Sequence, residues 1–149
     1  MATKKKAAGK RRLYSLVGEG SNQGTAASSV VIDRIREGFQ WPEVQRYQES
    51  FQIKDKMFAR IIGVSDRTLT RTRRNKAALD PIASDRLYRT AKVLSFAVDV
   101  FEDLPRAVRW LQREQPGLDG KAPLALLDTE PGTHEVKTLL TQLEYGVLP

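Results

Sequence analysis

The apolar positions of this chain recur at helical spacing almost from end to end, and nowhere alternate over a strand's length. Ser29 is placed to cap a helix carrying Val31, Ile32 and Ile35, with Gly38 near its end. "WPEVQRYQESF" restarts with Pro42 at a first-turn position and Val44, Tyr47 and Phe51 at i, i+3 and i+7. Residues 55–62 and 66–76 read as two short helices. Leu87, Ala91, Leu94, Val98 and Phe101 form the longest stripe, with Pro81 and Ser84 marking its start. Pro105 opens a helix through Trp110 and Leu111. "QPGLDGKAP" is a turn-rich break, and "PLALL" makes one or two helical turns. Thr129 and Pro131 open a last helix with Val136, Leu139, Leu140 and Leu143 on one face and Gly146 as its stop. The pattern predicts an all-α protein without internal repeats.

Residues 1–28 lie outside this pattern. Lys, Gly, Ser, Ala and Thr dominate them, and they read as a flexible basic arm whose one apolar island is "RLYSLVG". The expected organisation is the arm at 1–28, a first helical domain at 29–103 and a second at 104–149.

Composition narrows the classes. The 149 residues contain no cysteine, which excludes disulfides, thiolate zinc sites and a cysteine nucleophile and suits a reducing cytosol. No apolar run approaches the ~18 residues of a membrane span. The first residues are basic without an apolar stretch behind them, unlike a secretory signal. A cytoplasmic location with no membrane partner is expected.

Charge changes the picture by its placement. The total is +7. Residues 1–12 hold six bases and no acid, and residues 54–76 hold eight bases against Asp55 and Asp66. The remainder is therefore net acidic. Two concentrated basic patches favour a polyanion.

The second patch lies in "FARIIGVSDRTLTRTRRN", Phe58 to Asn75. Two crossing helices need a small residue at the crossing, and Ala59 supplies it. The turn needs a residue that tolerates positive φ, and Gly63 follows four later. Leu69 anchors the second helix, with Val64 as a further apolar plug. Ser65 caps that helix. Its outer face then presents Asp66, Arg67, Thr70, Arg71 and Arg74. This is helix-turn-helix spacing, and arginine reaches both guanine edges and phosphates. Position favours Arg67, Thr70 and Arg71 as base contacts. Arg73, Arg74, Lys76 and the Ser65 turn are placed for the DNA backbone, and Asp66 and Thr68 complete the expected DNA-binding set. The competing reading is a helical hairpin with a solvated basic face. The arm likewise has two readings, one following DNA phosphates or a minor groove and the other serving solubility.

Catalytic chemistry finds no constellation. His134 is the single histidine, and no phosphate-binding glycine loop or nucleophile elbow is present. Asp99, Glu102 and Asp103 occupy the polar end of an amphipathic helix, where solvated acids belong. No enzyme activity, cofactor or metal is expected.

A helix-turn-helix needs only ~60–70 residues, so residues 104–149 have a second task. "LEYGVLP" stays apolar to its last residue, where chain ends are usually polar. Tyr145 and Val147 either fold onto their own core or enter a partner.

The stretch "AVRWLQREQPGLDGKAPLALLDTEPGTHEVKTLLTQLEYGV" resembles the C-terminal domain of Xre/MbcA/ParS-type antitoxins. The likeness rests on Trp110-Leu111, Pro116, Leu118 and Gly120, Pro123-Leu124 and Leu126-Leu127, Thr129-Glu130, Val136, Leu139-Leu140, and Glu144-Tyr145-Gly146-Val147. It covers about residues 30–149, with an Xre-like helix-turn-helix bundle in front of a small all-helical toxin-binding domain. The resemblance implies a RES-domain toxin as partner, encoded beside the antitoxin and acting on NAD by degradation or ADP-ribose transfer. It implies that the C-terminal domain binds the toxin and the tail obstructs its active site. It further implies a homodimer that binds and represses the shared promoter DNA. On that basis Tyr145, Gly146, Val147, Leu148 and Pro149 are expected in the toxin's cleft, with Leu139 and Leu143 behind them. A stand-alone repressor whose C-terminal domain only dimerises is the alternative. Two departures stand out. Ala122 replaces the Ser or Thr that many relatives carry before the Pro-Leu cluster. The basic arm has no counterpart in the family pattern.

Overall fold

The computed structural model describes residues 25–147, with side chains from Ser29 onward. Among the described residues seven α-helices follow one another: α1 (Thr25–Glu37), α2 (Trp41–Ser50), α3 (Asp55–Ile62), α4 (Asp66–Asn75), α5 (Pro81–Phe101), α6 (Leu104–Gln112) and α7 (Glu130–Glu144). Single 3₁₀ turns at Pro116–Leu118 and Pro123–Leu126 join α6 to α7. No strand occurs among the described residues; Gln115 and Lys121 form one isolated bridge. The all-α expectation holds. The basic arm lies outside the described residues up to residue 24.

Helix starts follow capping chemistry, with two corrections. α1 begins at Thr25, so Ser29 sits inside the helix rather than at its cap. α5 is capped by Asp80, whose carboxylate accepts the Ala83 N–H at 2.8 Å, with Pro81 in its first turn. Ser84 is fully buried instead, and its hydroxyl accepts the Phe39 N–H at 3.0 Å. A chain turning inward at Phe39 would otherwise bury an unmade donor, at a cost of ~1–3 kcal/mol. Asp103 and Thr129 cap α6 and α7 through the N–H groups of Arg106 and Gly132. Ala122 makes no side-chain cap on its short turn, as its identity requires.

α5 organises the molecule. Its stripe of Leu87, Ala91, Leu94 and Val98 is buried, but so are Ala83, Thr90, Val93, Ser95 and Ala97. A helix buried on more than one face must be covered from more than one side. α1, α3, α6 and α7 all pack against it. One apolar core therefore runs from Phe39 through Tyr47, Phe58 and Leu94 to Leu140. Polar ties cross the same junction. The Gln112 amide donates to the Phe51 and Gln52 carbonyls at 3.2 and 3.1 Å, and Arg60 pairs with Asp128 at 2.9 Å.

Candidate functional site

The geometry of α3 and α4 grows from three small features. Ala59 is 1% exposed and permits the close crossing. Gly63 takes φ +73°, in the left-handed region that disfavours any side chain. There the Gly63 N–H donates to the Arg60 carbonyl and the Val64 N–H to that of Ala59, which closes the helix end and turns the chain sharply. The Arg86 guanidinium from α5 covers this turn; a Cβ built on Gly63 would fall 1.4 Å from its Nη1. Ser65 then accepts the Thr68 N–H at 3.0 Å and starts α4. Leu69 is buried and fixes α4 to the core.

The outer face of α4 carries what the spacing predicted. Ser65, Asp66, Arg67, Thr70, Arg71, Arg74 and Lys76 are exposed, and Thr68 is half-buried. The Thr70 hydroxyl donates to the Asp66 carbonyl at 2.9 Å, leaving its oxygen free to accept. Lys76 closes the helix in a left-handed conformation at φ +48°.

Arg73 departs from the expectation of a backbone contact. It turns toward the protein. Its two terminal nitrogens bond the Asp55 carboxylate at 2.6 and 2.7 Å, one also donates to Gln48 at 3.1 Å, and its guanidinium carbon lies 5.7 Å from the Trp41 ring centre. The Arg73 guanidinium, helped by Gln48, holds the Asp55 carboxyl at about 2, below the ordinary carboxylate range, and the same bond raises Arg73. Asp55, Gln48 and Trp41 escaped the sequence reading. Asp55 and Arg73 stand 18 positions apart on either side of the turn, and no local pattern links them.

At the other end, Leu139 is 5% exposed and belongs to the core together with Val136 and Leu140. It is not available to a partner, contrary to expectation: a helix face at i, i+3, i+4 and i+7 buries first where it meets α5. Leu143 is 38% exposed, Tyr145 75% and Val147 56%. Tyr145 and Val147 do not fold back onto their own core. Gly146, at φ +68°, closes α7, with the Val147 N–H donating to the Gln142 carbonyl at 2.8 Å. Leu148 and Pro149 lie outside the described residues.

Of the acids considered for catalysis, Asp103 has a structural role. Asp103 serves as the α6 cap, and His134 is exposed on α7. No group of three potential metal ligands occurs among the described residues. Among those residues, no helix is long and apolar enough to cross a membrane.

Residues 30–92 match the antitoxin Xre-like helix-turn-helix domain, and residues 96–146 match the antitoxin Xre/MbcA/ParS C-terminal toxin-binding domain. Antitoxin Xre of Yersinia enterocolitica is 33% identical over 138 residues, covering 92% of this chain and 90% of that one. The chain belongs to the Xre antitoxin family. Antitoxin Xre of Photorhabdus laumondii is 28% identical over 91% of this chain and 90% of its own length. Antitoxin Xre of Pseudomonas putida is 36% identical over 63 residues, 42% of this chain and 40% of its own. In this Xre-family chain the helix-turn-helix is thus α3 and α4, and the toxin-binding domain comprises the end of α5 with α6 and α7. The family is one of regulatory, non-enzymatic proteins. The break between the two matched regions falls inside α5, the helix whose faces serve both halves of the core.

Proposed function

We propose that this antitoxin neutralises a RES-domain, NAD-directed toxin encoded beside it and represses their shared promoter. The observation that carries the toxin half of this reading is the exposed apolar run of Leu143, Tyr145 and Val147 at the end of α7. An exposed Tyr beside aliphatic residues is costly in water and typical of a surface that becomes covered. In this reading Tyr145 through Pro149 enter the toxin's NAD-binding cleft and Leu143 seals the edge, so inhibition is steric. The described tail offers a phenol and apolar groups and no charge, which suits a cleft closed by shape.

The DNA half rests on α4. Its capped start faces solvent with Arg67, Thr70 and Arg71 along one side, while Leu69 and Arg73 hold the opposite side. Arg67 and Arg71 reach base edges in the major groove, and Arg74, Lys76 and the Ser65 turn contact phosphates. A homodimer would place two such helices one helical turn apart. The protein acts in the cytoplasm, where both promoter and NAD are found.

Co-expression of the tagged chain with its adjacent gene tests this reading. A RES-type product that co-purifies, in a complex that retains the upstream DNA, is the expected result. A DNA-binding dimer that captures no neighbour would instead make the chain a stand-alone repressor.

A further inference from the structure

α6 carries Arg106 and Arg109, three apart, and Arg113 caps its C-terminal end; the three line one cleft. All three are exposed, and none forms an ion pair with another described residue. They border a shallow cleft of about 410 Å³ floored by the Phe101–Trp110 aromatic pair, whose ring centres lie 5.5 Å apart; Glu114 is its single acid. Nothing in the core needs this charge. α6 already buries Ala107, Val108 and Leu111 on its other side.

Two observations say what the arginines meet. First, the end of α6 is tied to the helix-turn-helix. Gln112, next to Arg113, donates to the carbonyls of Phe51 and Gln52. That turn leads directly into α3, whose start is flanked by Lys54 and Lys56, both exposed. The start of the first helix of such a motif runs beside the DNA backbone. Second, the large exposed apolar residues are Val30, Ile32, Ile82, Leu143, Tyr145 and Val147, and none lies on α6. Protein interfaces bury apolar and aromatic groups, and although they use single arginines they are depleted of charge at their centres. A face of three arginines whose large apolar groups, Phe101 and Trp110, are only half-exposed fits phosphate better than protein.

We infer that the α6 face of Arg106, Arg109 and Arg113 is a second DNA contact, gripping backbone phosphates beside the site bound by α4. The toxin-binding domain thereby enlarges the operator footprint of the same molecule. This rests on the DNA-binding reading of α4. The contact is electrostatic and blind to sequence, so it appears in the salt dependence of binding rather than in base preference.

The test uses the full chain, a duplex covering the region upstream of its own gene, and a random-sequence duplex. Binding is measured across salt concentrations. The triple variant R106Q/R109Q/R113Q is expected to melt like the wild type and to lower the salt slope by about 0.9 for each phosphate released, roughly 2–3 in total, on both duplexes. The variant K92Q/K137Q removes exposed charge elsewhere and is expected to keep the wild-type slope. An unchanged slope in the triple variant overturns the inference. An unchanged slope with lost capture of the toxin overturns it too and gives the face to the protein partner. The parallel variant R67A/R71A separates the two readings. If it loses the upstream duplex while the α6 triple variant matches the wild type, only the second contact fails. If the wild type binds neither duplex even at low salt, the DNA reading fails and takes the inference with it.

Discussion

Arg73 reaches back from α4 and closes on Asp55 at the start of α3, with Nη2–Oδ1 at 2.6 Å and Nη1–Oδ2 at 2.7 Å. The two helices of the motif are thus joined by a forked, two-bond pair as well as by the turn between them. Gln48 and Trp41 from α2 complete the clasp. Arg73 therefore sets the angle at which α4 is presented, while its neighbours Arg71 and Arg74 point away. Replacing Arg73 with Ala is expected to weaken DNA binding while leaving the salt slope unchanged. Asp55→Asn should reproduce the defect, and the double variant should be little worse than either single one. A slope reduced by about 1 in Arg73→Ala would return the residue to the phosphate-contacting set.

The same pair has a pH signature. Asp55 titrates at about 2 in the folded protein against an ordinary 3.8. A depressed folded value adds stability that is present above pH 3.8 and is lost as pH falls toward 2. Both side chains are partly in water, at 38% and 57% exposure, so screening limits the contribution to roughly 0–1 kcal/mol. Denaturant unfolding of wild type and Asp55→Asn should differ at pH 6 by that amount and converge near pH 2. A gap that persists at pH 2 would show that the substitution acts through something other than this charge.

Arg67 stands at the exposed start of α4, clear of the Asp55 clasp. Arg67→Ala is expected to cost about 1–3 kcal/mol in operator binding and to relax preference at one base position. Binding to a panel of single-base operator variants measures both. A uniform loss across the panel would make Arg67 a phosphate contact.

Leu139 and Tyr145 lie less than two turns apart on α7 and its end, yet should behave oppositely. Leu139→Ala opens a cavity in the core and is expected to cost about 2–5 kcal/mol of stability. Tyr145→Ala removes a side chain that is 75% exposed and should leave the melting temperature unchanged while weakening toxin binding. Thermal melts and toxin pull-downs on the two variants separate the roles. Full toxin binding by Tyr145→Ala would remove the tail from the interface.

What was legible in the sequence depended on range. The positive φ of Gly63, the Ser65 cap, the Leu69 anchor and the Gly146 stop each depend on residues within a turn or two, and spacing alone located them. The start of α5 lies at Pro81, as the pattern placed it, but two residues near it have the chemistry of a cap. Asp80 took the role, and Ser84 was drawn inward by the Phe39 N–H 45 positions away. Arg73 looked like one more surface arginine because Asp55 and Trp41 are distant in sequence. Leu139 looked available because a periodic face does not say how far along the helix burial extends. The line between burial at Leu140 and exposure at Leu143 is a property of the packed structure.

The most direct test compares toxin inhibition by the full chain with that by a chain ending at Glu144. Purified adjacent toxin is mixed with each at equal concentration, and NAD consumption is followed. Steric neutralisation predicts that the full chain stops NAD consumption, while the shortened chain leaves the toxin active and still binds DNA like the full chain. Equal inhibition by the two chains would contradict the account, because toxin control would then reside in the body of the C-terminal domain and not in the exposed residues after α7.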